Sequence, residues 1–139
     1  LPSTRREEAR VRARALELLD LLRIAALADE DAAALAFGQQ RAVELARALA
    51  CQPRLLLLDE PAAGLNMRET AALAATVRAI RDRGITVLVV EHDMSLIMDV
   101  SDEIMVLNFG RRIAEGTPAQ IQRDPEVIRV YLGDDHAAG

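Results

Sequence analysis

Leu55-Leu56-Leu57-Leu58-Asp59-Glu60-Pro61 is a continuous apolar run that ends in two acidic residues and a proline, a pattern that predicts a buried β-strand followed by a turn. A second apolar run, residues 85–90, ends in Glu91-His92-Asp93. Between the two, residues 67–83 carry apolar side chains at helical spacing, and Gly84 is suited to end that helix. A strand, a helix and a strand of these lengths predict a βαβ unit, and we expect its parallel strands to be buried on both faces.

The chain before this unit is predicted to be helical. Thr4 and Glu7 fit a capping box at the start of a first helix, whose apolar face recurs at residues 11, 15, 18 and 22. A second helix is expected over residues 39–50, because Pro53 follows it closely. After the βαβ unit we expect a short helix, a strand over residues 104–107 that turns into residues 111–114, and two short helices near the end. The fold class is therefore α/β, with a helical piece preceding a parallel sheet and its flanking helices.

Composition excludes several classes of function. All 17 basic residues are arginine, so no lysine can form a Schiff base or serve the phosphate-binding loop Gly-x-x-x-x-Gly-Lys-Ser/Thr. Aromatic residues make up 2% of the chain and its net charge is -5, which argues against nucleic acid as a partner. The aliphatic runs are far shorter than the roughly 20 residues of a membrane span, so we expect no transmembrane segment. A single cysteine, Cys51, fits a reducing cytoplasm.

Polar residues at the ends of the two predicted strands are the sharpest chemical feature. Ligands of open parallel sheets collect at the carboxyl ends of the strands. An aspartate such as Asp59 can hold Mg²⁺ there, and the adjacent Glu60 can orient or deprotonate an attacking water. His92 has the equivalent place after the second strand and could bond a phosphate oxygen. The alternative is that both strands simply end in polar turns.

A glycine at the start of a predicted helix is a second candidate for ligand binding. Residues 35–41 read Leu-Ala-Phe-Gly-Gln-Gln-Arg and lead directly into the second helix. Free amides at a helix N-terminus attract anions, and Gly38 allows a close approach of the backbone. Without further context, a glycine-containing helix start is an equally good interpretation.

Four motifs in order are far more specific than any one of them. They are residues 37–41 (Phe-Gly-Gln-Gln-Arg), residues 55–61, residues 63–66 (Ala-Gly-Leu-Asn) and residues 91–93. Together they resemble the signature, the Walker B strand with its catalytic glutamate, the D-loop and the switch-histidine loop of ABC-transporter ATPase domains. The resemblance covers essentially the whole chain and implies an incomplete P-loop NTPase fold. It implies a helical-subdomain remnant over residues 1–51, with the signature at 35–41, and a RecA-like α/β half over residues 52–139.

The wording of the motifs is most similar to ATPase subunits of branched-chain amino-acid importers. Residues 59–66, 91–94, 114–118 and 127–133 carry this finer likeness. The end of the chain also resembles ATPases of lipopolysaccharide-export and urea-import systems, which remain alternatives within the family.

The resemblance implies roles for individual residues around Mg-ATP. Asp59 would bind the Mg²⁺, Glu60 would be the base or water-orienting residue, and His92 would contact the γ-phosphate. Gly38 and Gln39, within the signature that begins at Ala36 and Phe37, would cover the nucleotide bound to a partner subunit. Asn66 in the D-loop would couple the two sites of a dimer. Ala36 departs from the serine usual in the family, which removes one phosphate hydrogen bond of about 1–2 kcal/mol.

The family's Walker A loop, glutamine loop and adenine-stacking aromatic are not found in this sequence. The family's ATPase is a head-to-tail dimer in which Walker A and B of one subunit face the signature of the other, and it docks on membrane permease subunits at the cytoplasmic face of the plasma membrane. We therefore expect a C-terminal portion of such a subunit, with little ATP hydrolysis by the chain alone. The alternatives are a regulatory or dimerisation module and a truncated product without function. The transported substrate is not readable from the ATPase, which does not contact it.

Overall fold

A computed structural model describes residues 2–132, which form helices and two small two-stranded sheets. The helices are α1 (Pro2–Leu21), α2 (Phe37–Ala50), α3 (Met67–Asp82), α4 (Met94–Val100), α5 (Pro118–Ile121) and α6 (Pro125–Val127). The strands are β1 (Leu55–Asp59), β2 (Thr86–Val90), β3 (Ile104–Asn108) and β4 (Arg111–Gly116). Short helical turns lie at Ala25–Leu27, Ala32–Ala34 and Ile128–Leu132. The chain divides into two compact units between Glu91 and His92.

The first unit is built around the predicted βαβ arrangement. Strands β1 and β2 pair in parallel, with Leu57 opposite Leu88 and Asp59 opposite Val90, and α3 connects them as expected for parallel neighbours. Side chains of α1, of the segment just after it, and of α2, β1 and α3 form one apolar core; its buried members are Leu18, Leu22, Ile24, Leu45, Ala46, Leu49, Leu56 and Ile80. The parallel strand–helix–strand prediction is confirmed by this unit.

The expectation that the strands are buried on both faces is wrong. Leu56 is only 5% exposed, whereas its neighbour Leu57 is 64% exposed. Successive side chains of a strand point to opposite faces, and only one face of this sheet is packed against the helices. The other, which we call the uncovered sheet face, carries the exposed side chains of Leu55, Leu57, Leu88 and Val90.

The edges of this sheet are open as well. Within residues 2–132, β1 and β2 each have one strand neighbour, so each leaves a row of backbone groups unpaired along its outer edge. An exposed apolar edge is a template for pairing with another chain.

The start of α1 differs from the sequence prediction. The helix begins at Pro2, a residue that suits a first helical position. Thr4 therefore lies inside the helix rather than at its cap, and the predicted capping box is wrong. Only the C-terminal half of α1 is packed, because Leu18 is buried whereas Val11 is 66% exposed.

The second unit contains the strand predicted over residues 104–107, and the segment after its turn forms a further strand. Strands β3 and β4 pair antiparallel and form their own two-stranded sheet rather than extending the parallel one. Its core includes Val106, Ile121 and Val127. The hydroxyl of Tyr131 donates to the carbonyl oxygen of Leu107 at 2.5 Å and so ties the last helical turn to β3. Among residues 2–132, no helix combines the length and the apolar character that crossing a membrane requires.

Candidate functional site

The carboxyl end of β1 places Asp59 and Glu60 on the surface. Asp59 is the last residue of β1, and both side chains are exposed. Glu60 has a left-handed backbone with φ of 44°, which is uncommon for a residue other than glycine. Its N–H donates to the carbonyl oxygen of Val90 at 2.8 Å. The strand alternation therefore stops at Glu60, and the chain turns there while still bonded to β2.

A carboxylate from the end of β2 secures the turn that follows. Glu91 Oε1 accepts a hydrogen bond from the N–H of Ala62 at 2.8 Å in a partly buried position. The N–H of Ala63 donates to the carbonyl oxygen of Glu60 at 3.0 Å. Hydrogen bonds to a charged acceptor are stronger than neutral ones, so Glu91 holds the loop after Glu60 against the end of β2.

The candidate signature segment forms the beginning of α2. Ala36 is the N-cap residue with φ of -62° and ψ of 154°, and its N–H donates to Gln39 Oε1 at 3.0 Å. Alanine has no side-chain oxygen, so the reciprocal half of a capping box is missing. Phe37 is 51% exposed, and the Arg41 guanidinium lies 5.2 Å from the centroid of its ring. The Gln39 side-chain oxygen is thus engaged in the cap.

Asn66 caps α3 in the same way, and here both halves of the box are present. The N–H of Glu69 donates to Asn66 Oδ1 at 3.0 Å, and the N–H of Asn66 donates to Glu69 Oε2 at 2.9 Å. This reciprocal pair satisfies two donors that the first turn of a helix leaves without partners. The exposed Asn66 side chain is therefore fixed at the beginning of α3.

The signature segment and the loop before α3 approach each other at two glycines. A Cβ at Gly38 would lie 2.7 Å from Glu69 Oε1, and a Cβ at Gly64 would lie 3.0 Å from Phe37 Cε1. Gly64 also has φ of 78°, a backbone conformation that residues other than glycine rarely adopt. A side chain at either glycine would therefore require Glu69 or Phe37 to move.

One cavity of about 440 Å³ brings several candidate residues together within the first unit. Gly38, Gln39, Asp59 and Glu69 contribute to its wall among leucines of α2, β1 and α3.

His92 begins the second unit and is exposed, and the next residue, Asp93, caps α4 by accepting from the N–H of Leu96 at 3.1 Å.

The donor set fits a nucleotide-borne magnesium ion better than a resident one. Within residues 2–132 there is no group of three or more His, Cys, Asp or Glu side chains able to hold a metal ion. Mg²⁺ is commonly held by one or two carboxylates, with phosphate oxygens and water completing its shell. The single exposed carboxylate of Asp59 at a strand end is compatible with that arrangement.

Comparisons with known proteins agree with this architecture. The model of the ABC transporter family matches residues 1–63, and that of the branched-chain amino acid ATP-binding cassette transporter matches residues 111–137. The high-affinity branched-chain amino acid transport ATP-binding protein BraF of Pseudomonas aeruginosa is 46% identical over 134 residues, which are 96% of this chain and 52% of BraF. The high-affinity branched-chain amino acid transport ATP-binding protein LivG of Escherichia coli K12 is 45% identical, over 96% of this chain and 52% of LivG.

The chain belongs to the family of ABC transporter ATP-binding proteins. It spans about half the length of the curated relatives that it matches. The lipopolysaccharide export system ATP-binding protein LptB of Haemophilus influenzae is more distant, at 38% identity over 96% of this chain and 53% of LptB.

Solved structures of ABC ATP-binding cassettes have the same fold. The ADP conformation of MJ1267, an ATP-binding cassette of an ABC transporter, has a TM-score of 0.79 at 30% identity and is matched over 89% of this chain and 50% of that one. The protein cbiO1 of Clostridium perfringens, part of the ABC transporter complex cbiONQ, has a TM-score of 0.79 at 32% identity, over 88% and 49% of the two chains.

Two carboxylates of this ABC ATP-binding chain were missed by sequence reasoning. Glu91 was read only as part of a motif, although it bonds the loop after Glu60. Glu69 was not singled out, although it caps α3 and contacts Gly38. The spacing of Asn66 and Glu69 is that of a capping box and could have revealed the cap. No pattern in the sequence could have revealed the contact with Gly38.

Proposed function

We propose that this chain supplies the signature, the Walker B strand, the D-loop and the switch histidine of an ABC ATPase that drives branched-chain amino-acid transport. The observation that carries the proposal is the pair Asp59–Glu60 at the carboxyl end of a parallel strand, where Glu60 leaves the strand in a left-handed conformation. The higher identity to BraF and LivG than to LptB supports amino-acid transport over lipopolysaccharide export. Urea import stays an alternative on motif wording alone.

The proposed reaction is hydrolysis of ATP to ADP and phosphate. Asp59 would hold Mg²⁺, which neutralises charge on the β- and γ-phosphate oxygens when it is bound. Glu60 would orient a water molecule and take its proton as the water oxygen attacks the γ-phosphorus and the bond to the bridging oxygen breaks. His92 would donate a hydrogen bond to a γ-phosphate oxygen.

A second subunit would complete the site. Ala36, Phe37, Gly38 and Gln39 would lie over a nucleotide held by the partner, where the N-terminal amides of α2 favour phosphate oxygens. Asn66 would transmit the state of one site to the other. Within this chain, residues 1–51 would serve as the helical subdomain and residues 52–139 as the RecA-like half. The assembly would work with permease subunits at the cytoplasmic face of the membrane.

The test joins the chain to the upstream part of Escherichia coli LivG that it does not match, since the lysine-free chain has no phosphate-binding loop of its own. We expect the folded fusion to release phosphate from Mg-ATP, and Glu60→Gln to reduce the rate by about 100-fold or more, the usual contribution of a general base. Glu30→Gln makes the same chemical change at an exposed residue outside the four motifs and should keep the rate within about twofold. A folded fusion in which both variants are equally active would contradict the proposal.

The chain alone provides a further check. We expect no phosphate release from the 139-residue chain above background, because positioning of the β- and γ-phosphates needs the missing loop. Release that Glu60→Gln abolishes would overturn this expectation. A regulatory module is the second candidate, favoured by the absence of lysine from the chain. It predicts instead that the chain alters phosphate release by an intact ABC ATPase while the fusion stays inactive.

A further inference from the structure

We propose that Glu69 is a positioning residue that locks the beginning of α2 to the loop carrying Asn66, so that an anion arriving at α2 is sensed at Asn66. The idea rests on the proposed function for its purpose. Its structural basis is the contact between Glu69 and Gly38, which is independent of any nucleotide.

The two oxygens of the Glu69 carboxylate serve different segments. Oε2 accepts from the N–H of Asn66 at 2.9 Å and closes the capping box of α3. Oε1 lies 2.7 Å from the position that a Cβ of Gly38 would occupy. One half-buried carboxylate thus accepts a hydrogen bond from the loop before α3 and packs against the first turn of α2.

The charge of the Glu69 carboxylate makes this arrangement sensitive to an anion at the beginning of α2. A carboxylate stabilises the N-terminus of a helix through its free amides and its dipole. Glu69 stands at the third residue of α3 and against the second residue of α2, so its charge favours both helix ends. A phosphate oxygen placed at the beginning of α2 would repel the same carboxylate. The repulsion weakens the hydrogen bond that Glu69 Oε2 accepts from the N–H of Asn66. The D-loop, which contains Asn66, thereby responds to the phosphate.

A second contact keeps the two segments in register. The Phe37 ring lies against Gly64, where an added Cβ would be 3.0 Å from Cε1. In the first contact the Glu69 side chain of α3 packs against Gly38 of α2. In the second, the Phe37 side chain of α2 packs against Gly64 in the loop before α3. The two contacts therefore join the same pair of segments. Displacing Glu69 therefore changes the positions of both segments rather than freeing a single side chain.

Amide hydrogen exchange of the full chain tests the lock without nucleotide. Asn66→Ala and Glu69→Ala each remove one half of the same capping box, but only Glu69 contacts Gly38. Asn66→Ala should accelerate exchange of the Glu69 amide, and Glu69→Ala that of the Asn66 amide, each by about tenfold, the effect of losing one hydrogen bond. Only Glu69→Ala should also accelerate exchange of the Gln40 and Arg41 amides in the first turn of α2.

Gly38→Ala supplies the reverse experiment. Its Cβ would push the Glu69 carboxylate away, so exchange of the Asn66 amide should rise by about tenfold, with no further rise when Gly38→Ala is added to Glu69→Ala. The lock is refuted if Glu69→Ala leaves the amides of α2 unchanged, or if Gly38→Ala has its full effect without Glu69. Neither outcome would bear on ATP hydrolysis.

Kinetics of the LivG fusion test the purpose of the lock. Glu69→Ala should lower kcat by about tenfold and leave KM for ATP within about twofold, because nucleotide binding to the phosphate loop is untouched while the transition-state arrangement is loosened. Arg68→Ala, an exposed neighbour, is the control for general disturbance of α3. An active fusion whose kcat is indifferent to Glu69→Ala refutes the positioning role. A fusion that is inactive without any substitution refutes the proposed function and leaves the exchange result standing.

Discussion

Two adjacent leucines of β1 provide a sharp test of the uncovered sheet face. Leu56 and Leu57 have the same side chain on the same strand, but they are 5% and 64% exposed. Leu56→Ala removes packed atoms and leaves a cavity, which costs about 2–5 kcal/mol. Leu57 hides only about a third of its surface, and full burial of a leucine is worth about 1.5–3 kcal/mol. Leu57→Ala should therefore cost only about 0.5–1 kcal/mol, with no cavity to add.

Urea unfolding followed by circular dichroism measures both free energies of unfolding. For a chain with a slope of about 1–3 kcal/mol per molar urea, Leu56→Ala should lower the midpoint by about 1 M or more, and Leu57→Ala by a fraction of that. Ile80→Val, at a side chain with 0% exposure, is a milder core deletion of about 0.5–1.5 kcal/mol that keeps the comparison measurable if Leu56→Ala does not fold. Equal losses at Leu56 and Leu57 would refute the reasoning, because they would mean that the outer face is packed in solution.

Three further outcomes follow from single contacts. Ala36→Ser should raise the free energy of unfolding by about 1 kcal/mol by completing the α2 cap, and an unchanged urea midpoint would contradict this. Tyr131→Phe should lower it by about 1 kcal/mol because the hydrogen bond to Leu107 is lost; amide exchange in β3 would show the loss locally. Leu57→Lys should reduce concentration-dependent light scattering, since a charge on an exposed apolar sheet opposes association, whereas Glu30→Lys should leave the scattering unaltered.

The elements were predictable from local pattern, and their burial was not. The spacing of apolar residues and the residues that end helices located α2, α3 and both parallel strands, because both signals act over only a few positions. A continuous run such as residues 55–58 indicates a strand that could be covered on both faces. Whether Leu57 is covered depends on which other segments are there to cover it, and this information is absent from the run itself.

The residues of the candidate site were likewise predictable where a local motif marks them, and not where packing brings them together. Asp59, Glu60 and Asn66 were found by motif, and the structure places their side chains on the surface; their roles stay predictions. The contact between Gly38 and Glu69 joins residues of different helices, and only the packing of the first unit brings them together. Thr4 failed as a cap for a local reason, since Pro2 already begins the helix.

The left-handed backbone of Glu60 has a consequence for how variants of this chain would be selected. A residue other than glycine in that conformation costs about 1–2 kcal/mol, so the position sets folding and chemistry against each other. In a library randomised at residue 60, selection for abundance should enrich glycine and asparagine. Under the proposed function, selection of the same library in the LivG fusion for growth on the transported amino acid should restore glutamate. The gap between the two enrichment profiles would measure how much stability the chain loses by carrying glutamate at residue 60 for the proposed reaction.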